Sequence, residues 1–223
     1  MFIAIDGIDG SGKTTLARQL AELFTGKKTE VFLTKEPTDY SKWGQRLRRA
    51  SIEGRLPANV ELEYFRQDRQ NHIEHHIKPA LAAGAIVISD RYVDSTLAFQ
   101  SNTSDEAETL YQSMVDEILI PDLTFIIDCP VDIGLRRINI RDNGNLSQFE
   151  KRETLERAEA IYEARKGENY VHLDGSKNIE DTFIQAIETL RHKFDDNPRF
   201  RGLLSGVVNI KDMPLITPRF AAG

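Results

Sequence analysis

The chain has 223 residues, 40% of them hydrophobic, which is enough for one large domain around a continuous core. Its formal charge of −6 argues against wrapping duplex nucleic acid, although clustered arginines can still bind a small anionic ligand. No apolar run approaches the ~20 residues that span a bilayer, no basic segment with an apolar signal core opens the sequence, and one cysteine, Cys129, leaves no intrachain disulfide. Cys129 ends an apolar run and suits a small buried residue. The expectation is a soluble, cytoplasmic protein of a reducing compartment, with no membrane and no nucleic-acid polymer as partner.

In chain order, the first apolar run is Phe2–Ile5, followed by a glycine-rich loop and a helical stretch over Leu16–Leu23. Further strand-like runs are Val31–Leu33, Ile86–Ile88, Leu123–Ile127 and Tyr170–Leu173. Helical patterns fall between them over Val60–Ala83, Glu106–Leu119, Val131–Arg141, Phe149–Arg165 and Ile179–Phe194. Strands alternating with helices predict an α/β fold: crossover units, a five-stranded parallel sheet and helices on both faces in a three-layer α/β/α arrangement. One domain is predicted over residues 1–195. Residues 196–223, punctuated by Pro198, Gly202, Gly206, Pro214 and Pro218, read as an appended tail. The turn signal Asp142-Asn143-Gly144-Asn145 lies between Arg136, Arg137 and Arg141 on one side and Lys151 and Arg152 on the other, and reads as a mobile lid.

Residues Gly7 to Thr15, G-I-D-G-S-G-K-T-T, form the pattern G-x-x-x-x-G-K-[ST] directly between a strand and a helix. Glycines at 7, 10 and 12 let successive backbone N–H groups turn inward, and the helix adds the positive end of its dipole. Gly7, Asp9, Gly10, Ser11, Gly12, Lys13, Thr14 and Thr15 are therefore the expected cradle for the phosphates of a nucleoside triphosphate. Lys13 would reach the outer phosphates and Thr14 would ligate Mg²⁺.

A second run, Ser89-Asp90-Arg91-Tyr92-Val93-Asp94-Ser95-Thr96-Leu97-Ala98-Phe99-Gln100, follows the strand Ile86–Ile88. In a parallel sheet the ligand crevice lies beyond the carboxyl ends of the strands, so Asp90 and Arg91 would open into the same crevice as the phosphate loop. Asp90 can hold Mg²⁺ through water and Arg91 can grip a phosphoryl group bidentately. A surface ion pair is the plainer alternative for these two residues. His72 and His76 share a helix face, but the intervening acid, Glu74, is out of place for H-E-x-x-H and no third ligand is evident. A solvated helix, and no metal site, is the expectation there.

The segment Asp90-Arg91-Tyr92-x-x-Ser95-x-x-Ala98-Phe99-Gln100 resembles the D-R-Y-x-x-S-x-x-A-Y-Q signature of thymidylate kinases. Phe2-x-x-x-Asp6-Gly7-x-Asp9-Gly10-x-Gly12-Lys13-Thr14-Thr15 is similar to F-I-x-x-E-G-x-D-G-x-G-K-[ST]-T, and Thr34-Lys35-Glu36-Pro37 to T-R-E-P. Phe65-x-x-x-Arg69, Ile77-Lys78-Pro79-Ala80-Leu81 and Pro121-Asp122-Leu123-Thr124 with Asp128 resemble further motifs of that family, in its order. The likeness spans about residues 1 to 194 and leaves the tail unmatched.

The resemblance implies a P-loop nucleoside monophosphate kinase-like fold, a homodimer, and transfer of the γ-phosphoryl of MgATP to dTMP, giving dTDP. It implies that Asp9 contacts the sugar 3′-hydroxyl, Phe65 stacks on the pyrimidine, Arg69 bonds its O4 edge and Gln100 reads N3. Arg48 and Arg91 would hold the acceptor phosphate, with Ser95 and Lys35 beside it. On pattern alone Phe65 equally suits a helix core, and Arg48 or Arg69 a solvated helix charge. The catalytic set so implied is Lys13, Arg91, Asp9 and a lid arginine, with Thr14 and Asp90 for the metal.

Three departures from the family pattern stand out. The phosphate loop has no arginine, as in the bacterial type, where the lid supplies it; yet the usual lid D-R-[IF]-E is Ser147-Gln148-Phe149-Glu150 here. Arg141 is therefore the expected lid arginine, with Arg137 second. T-R-E-P-G-G-T becomes Thr34-Lys35-Glu36-Pro37-Thr38-Asp39-Tyr40, which replaces a planar fork by a point charge. Phe99 stands for a tyrosine that packs beneath the deoxyribose; its ring bulk still favours a deoxy sugar. Another deoxypyrimidine monophosphate as acceptor, or a nucleotide-binding regulator without turnover, are the alternatives these departures motivate.

Overall fold

The computed structural model describes residues 1–26, 29–142 and 148–196. Five strands, β1 (Phe2–Gly7), β2 (Val31–Lys35), β3 (Ile86–Asp90), β4 (Leu123–Asp128) and β5 (Tyr170–Asp174), form one parallel sheet in the order β2-β3-β1-β4-β5. The strand-like runs of the sequence thus fall on the five observed strands. Continuous apolar runs such as Phe2–Ile5 and Ile86–Ile88 suit strands covered on both faces, and both are buried throughout.

Helices α1 (Lys13–Gly26) and α9 (Ile179–Lys193) cover one face, where Leu16, Leu20 and Phe24 meet Ile3, Ile5, Phe183 and Ile187. The other face carries α5 (Val93–Gln100), α7 (Val131–Asp142) and α8 (Arg152–Ala164), whose Leu97, Ile138, Leu155 and Ile161 pack on Phe2, Ala4 and Ile126. The fold is the three-layer α/β/α arrangement. Between β2 and β3 lie α2 (Lys42–Glu53), α3 (Ala58–His72) and the short α4 (Lys78–Ala82); α6 (Ser104–Gln112) follows α5. No helix among the described residues is long and apolar enough to cross a membrane.

Several helix limits differ from those expected. The stretch Val60–Ala83 is not one α-helix: a π-helical turn, Ile73–Ile77, separates α3 from α4. Pro79 supplies the reason, since its ring and missing N–H do not fit an uninterrupted α-helical ladder, and the wider turn just ahead absorbs the mismatch. The helix expected over Glu106–Leu119 stops at Gln112, followed by a 3₁₀ turn at Val115–Glu117. Likewise Gln148–Glu150 is a separate 3₁₀ turn ahead of α8. Residues 143–147, with most of the expected lid turn and Ser147, and residues 197–223 of the expected tail lie outside the described residues.

Candidate active site

The carboxyl ends of β1, β3 and β2 open on one side of the sheet, and the register Ile5↔Asp90 and Lys35↔Asp90 brings their following loops together. The loop after β1 is shaped by backbone that only glycine adopts easily. Gly10 has φ +79°, and a Cβ there would lie 2.3 Å from the Gly134 carbonyl oxygen of α7. Lys13 is buried and donates its Nζ to the Ile8 carbonyl at 2.7 Å. Burial, reinforced by Arg91, pushes the Lys13 ammonium down to about 8. Ser11 Oγ is buried with no hydrogen-bond partner among the described residues, an open donor in the wall of the loop.

Thr14 Oγ1 donates to Asp90 Oδ2 at 2.5 Å, so the first turn of α1 and the end of β3 bring two hard oxygens together. This pair suits a small divalent cation carried with a nucleotide. Next to Asp90, Arg91 adopts φ +74°, in the left-handed region, and its amide is fixed to the Ile5 carbonyl at 2.9 Å. Its guanidinium is ion-paired with Asp9 and donates to Ser95 Oγ at 2.9 Å. Burial pushes the Asp9 carboxyl up, but Arg91, Lys13 and Arg141 outweigh it and hold Asp9 below the usual carboxylate range. Burial pushes the Arg91 guanidinium down, but Asp9, Tyr162, Asp90 and Asp6 together outweigh it and hold Arg91 above its ordinary value.

From this centre a cavity of about 750 Å³ runs between β2, α2, α3 and α5. Asp9, Thr14, Lys35, Arg48, Phe65, Arg69, Asp90, Arg91, Ser95, Phe99 and Arg141 all line it. These expected residues therefore meet in one space, while Gly7, Gly10, Ser11, Gly12, Lys13 and Thr15 of the phosphate loop, Gln100 and Arg137 do not line it. Gln100 donates its Nε2 to Glu61 Oε2 at 3.0 Å, and it is Glu61 that lines the cavity. Lys35 is exposed and sits 3.8 Å from Asp39. Arg137, second among the lid arginines, is bound to backbone instead, donating to Gly175 O at 2.9 Å, Lys177 O at 2.8 Å and Gly10 O at 3.3 Å.

Arg69 is buried, not a solvated helix charge. Its Nε donates to Glu36 Oε2 at 2.9 Å and its Nη2 to Thr96 Oγ1 at 2.7 Å, while Nη1 has no partner among the described residues. A buried orphan donor in the wall of a cavity is costly to leave unmade and is open to an acceptor atom. His72 overturns the expectation of a solvated helix. It is fully buried, with Nδ1 2.9 Å from Glu36 Oε1 and Nε2 2.9 Å from Thr34 Oγ1, because α3 turns this face onto the end of β2. Arg48 lines the cavity with its guanidinium held on the loop after β2, Nε donating to the Thr38 carbonyl at 3.2 Å and Nη2 to the Pro37 carbonyl, and Thr38 N in turn is held by Asp68 at 2.7 Å. At the lid, Arg141 Nη2 donates to Glu150 Oε1 at 2.7 Å, and Phe149 meets Phe99 edge-on at 5.8 Å between ring centres.

Sequence reasoning missed Arg18, Glu36, Glu61 and Phe149 as cavity residues. Arg18 stands one helical turn beyond Thr14, a spacing that puts it on the same face, and so was available as a signal. Glu36 was visible only as part of a motif, and Glu61 carried no signal beyond a polar position in a charged helix.

The sequence model of the family described as thymidylate kinase matches residues 5–185. A thymidylate kinase of Xanthomonas campestris pv. campestris (strain B100) is 40% identical over 186 residues, covering 83% of this chain and 81% of that protein. A probable thymidylate kinase of Archaeoglobus fulgidus is 40% identical over 182 residues, 81% of this chain and 90% of its own. A thymidylate kinase of Xylella fastidiosa (strain Temecula1) is 36% identical over 187 residues, 84% of this chain and 88% of its own. With a phosphate loop, a D-R-Y corner and an adjoining cavity in one crevice, and with these matches over most of its length, the chain belongs to the thymidylate kinase family.

Proposed function

We propose that this chain transfers the γ-phosphoryl group of ATP to dTMP, giving dTDP. The observation that carries the reading is one cavity that joins Asp9 and Thr14 at the phosphate loop to Phe65 and the unpaired Nη1 of Arg69. Phe65 would stack on the pyrimidine, Arg69 Nη1 would donate to O4, and Asp9 would accept the 3′-hydroxyl. Gln100 would act on the base through its bond to Glu61. Phe99 would pack under the deoxyribose, and Arg48, Ser95 and Lys35 would surround the acceptor phosphate.

A nucleoside monophosphate is already an anion at neutral pH, so its oxygen attacks without a base. Catalysis reduces to alignment and to neutralising charge on the transferred group. Gly7, Gly10, Ser11, Gly12, Lys13, Thr14 and Thr15 would hold the donor phosphates, and Arg91 and Arg141 would meet the group in flight. Thr14 and Asp90 would hold Mg²⁺, whose charge would offset that of the β- and γ-oxygens. We also assign residues 1–195 to the kinase unit and 196–223 to an appended tail, which agrees with a family match ending at 185 and α9 ending at Lys193. A homodimer working in the cytoplasm completes the proposal.

The test is phosphorus NMR on the purified chain with Mg²⁺, ATP and dTMP. Appearance of dTDP resonances matched by ADP supports the reading; ATP hydrolysed to inorganic phosphate, or left intact, contradicts it.

A further inference from the structure

Asp6 is the last residue of β1 before Gly7 opens the phosphate loop, yet its side chain is fully buried and does not line the cavity. Its two oxygens are both spent on the corner that carries Arg91. Oδ2 accepts the Tyr92 amide at 3.1 Å, and Oδ1 accepts the Ser95 hydroxyl at 2.5 Å. A hydroxyl has one proton, so with that proton on Asp6 the lone pairs of Ser95 Oγ face outward as acceptors. They receive Arg91 Nη1 at 2.9 Å and lie 3.0 Å from the Tyr162 hydroxyl. Polarity is thereby fixed along the line Arg91 to Ser95 to Asp6. Arg91 is also the one non-glycine residue with positive φ among the described residues, a conformation that persists only when its surroundings over-determine it. Asp6 grips that corner on both sides, through the backbone just after Arg91 and through the side chain one helical turn on.

We infer that Asp6 is a positioning residue, which in its ionised form holds the Arg91 corner and aims the guanidinium at the phosphoryl-transfer site. The inference rests on the assignment of Arg91 to the transferred group. It needs the carboxylate because both neighbours, an N–H and an O–H, are donors. A protonated Asp6 would set its own donor against one of them and reverse or break the Ser95 link. The groups facing Asp6 are Asp94 and Ser95 on α5, Arg91 at the corner, Lys13 on α1, Arg69 on α3 and Tyr162 on α8. Burial, then repulsion from the buried Asp94, pushes the Asp6 carboxyl up to about 7, against the pull of Ser95, Arg91 and Lys13. Asp94 is itself held by Arg165 Nε at 2.8 Å and by the Tyr170 hydroxyl.

Turnover number as a function of pH, measured for the parent, Asp6→Asn, Asp94→Asn and Arg91→Lys, tests this. The free acceptor phosphate is the same in all four, and Arg91→Lys, which changes a neighbour of the bound phosphate, is read for its kcat alone. Asp6→Asn is expected to lower kcat about 10- to 100-fold on the alkaline side, with KM for ATP nearly unchanged, and to lose an acidic limb that the parent shows. Asp94→Asn is expected to keep the alkaline plateau and move that limb to lower pH. A folded Asp6→Asn with parental kcat, or with lowered kcat and a parental pH profile, overturns the inference. If Asp6→Asn does not fold, an unmoved limb in Asp94→Asn overturns it. Parental kcat in Arg91→Lys removes the site assignment beneath it as well, whereas a crippled Arg91→Lys beside a parental Asp6→Asn removes only the role of Asp6.

Discussion

Arg141 Nη2 donates to Glu150 Oε1 at 2.7 Å, which joins the end of α7 to the 3₁₀ turn ahead of α8 at the mouth of the acceptor cavity. The position is suited to an arginine that swings onto the transferred phosphoryl group, since Arg137 is tied to backbone carbonyls. Arg141→Ala is expected to lower turnover at least about 100-fold with little change in acceptor affinity. Steady-state kinetics with varied dTMP checks it, and near-normal turnover refutes the assignment.

Glu36 is the counter-ion of a buried arginine and touches a buried histidine as well. Removing it leaves Arg69 charged and unpaired, so Glu36→Ala is expected to destabilise the fold by about 3–5 kcal/mol in denaturant unfolding. Burial pushes the Glu36 carboxyl up, but Arg69 and His72 outweigh it and hold it below the ordinary 4.5. A depressed carboxylate contributes stability that is present above 4.5 and lost as pH falls through its lower folded value. The parent should therefore lose stability in that acid window more steeply than Glu36→Gln; equal slopes would contradict the pairing.

Asp90 and Thr14 stand together at the phosphate loop. If they hold the cation, Asp90→Asn should raise the Mg²⁺ concentration for half-maximal turnover at least about 10-fold while leaving KM for dTMP nearly unchanged. A titration of rate against Mg²⁺ decides, and an unchanged midpoint removes Asp90 from the metal site.

Much of this was legible in the sequence because it is local. A strand, a glycine-rich loop and a helix lie consecutively over residues 2–26, and the D-R-Y corner directly follows a strand, so sheet topology alone brings the two together. What was not legible depends on which way a charged helix faces. On α2 only Gly44, Leu47 and Ala50 are buried, a thin stripe among arginines, and that helix carried little apolar pattern of its own. On α3 the inward face is polar, with Glu61, Asp68, Arg69 and His72 buried, so hydrophobic periodicity could not separate wall from surface. Gln100, whose type suits the base, donates to Glu61, and of the two it is Glu61 that lines the cavity.

The central claim is that one crevice phosphorylates dTMP in preference to its relatives. The most direct measurement is a coupled ATP-consumption assay with Mg²⁺ at neutral pH, comparing dTMP, dUMP, dCMP and ribose-bearing TMP as acceptors. The account predicts fast turnover with dTMP and much slower turnover with the other three. A dTMP rate far below that of another acceptor, or no turnover while ATP and dTMP both bind, would contradict it.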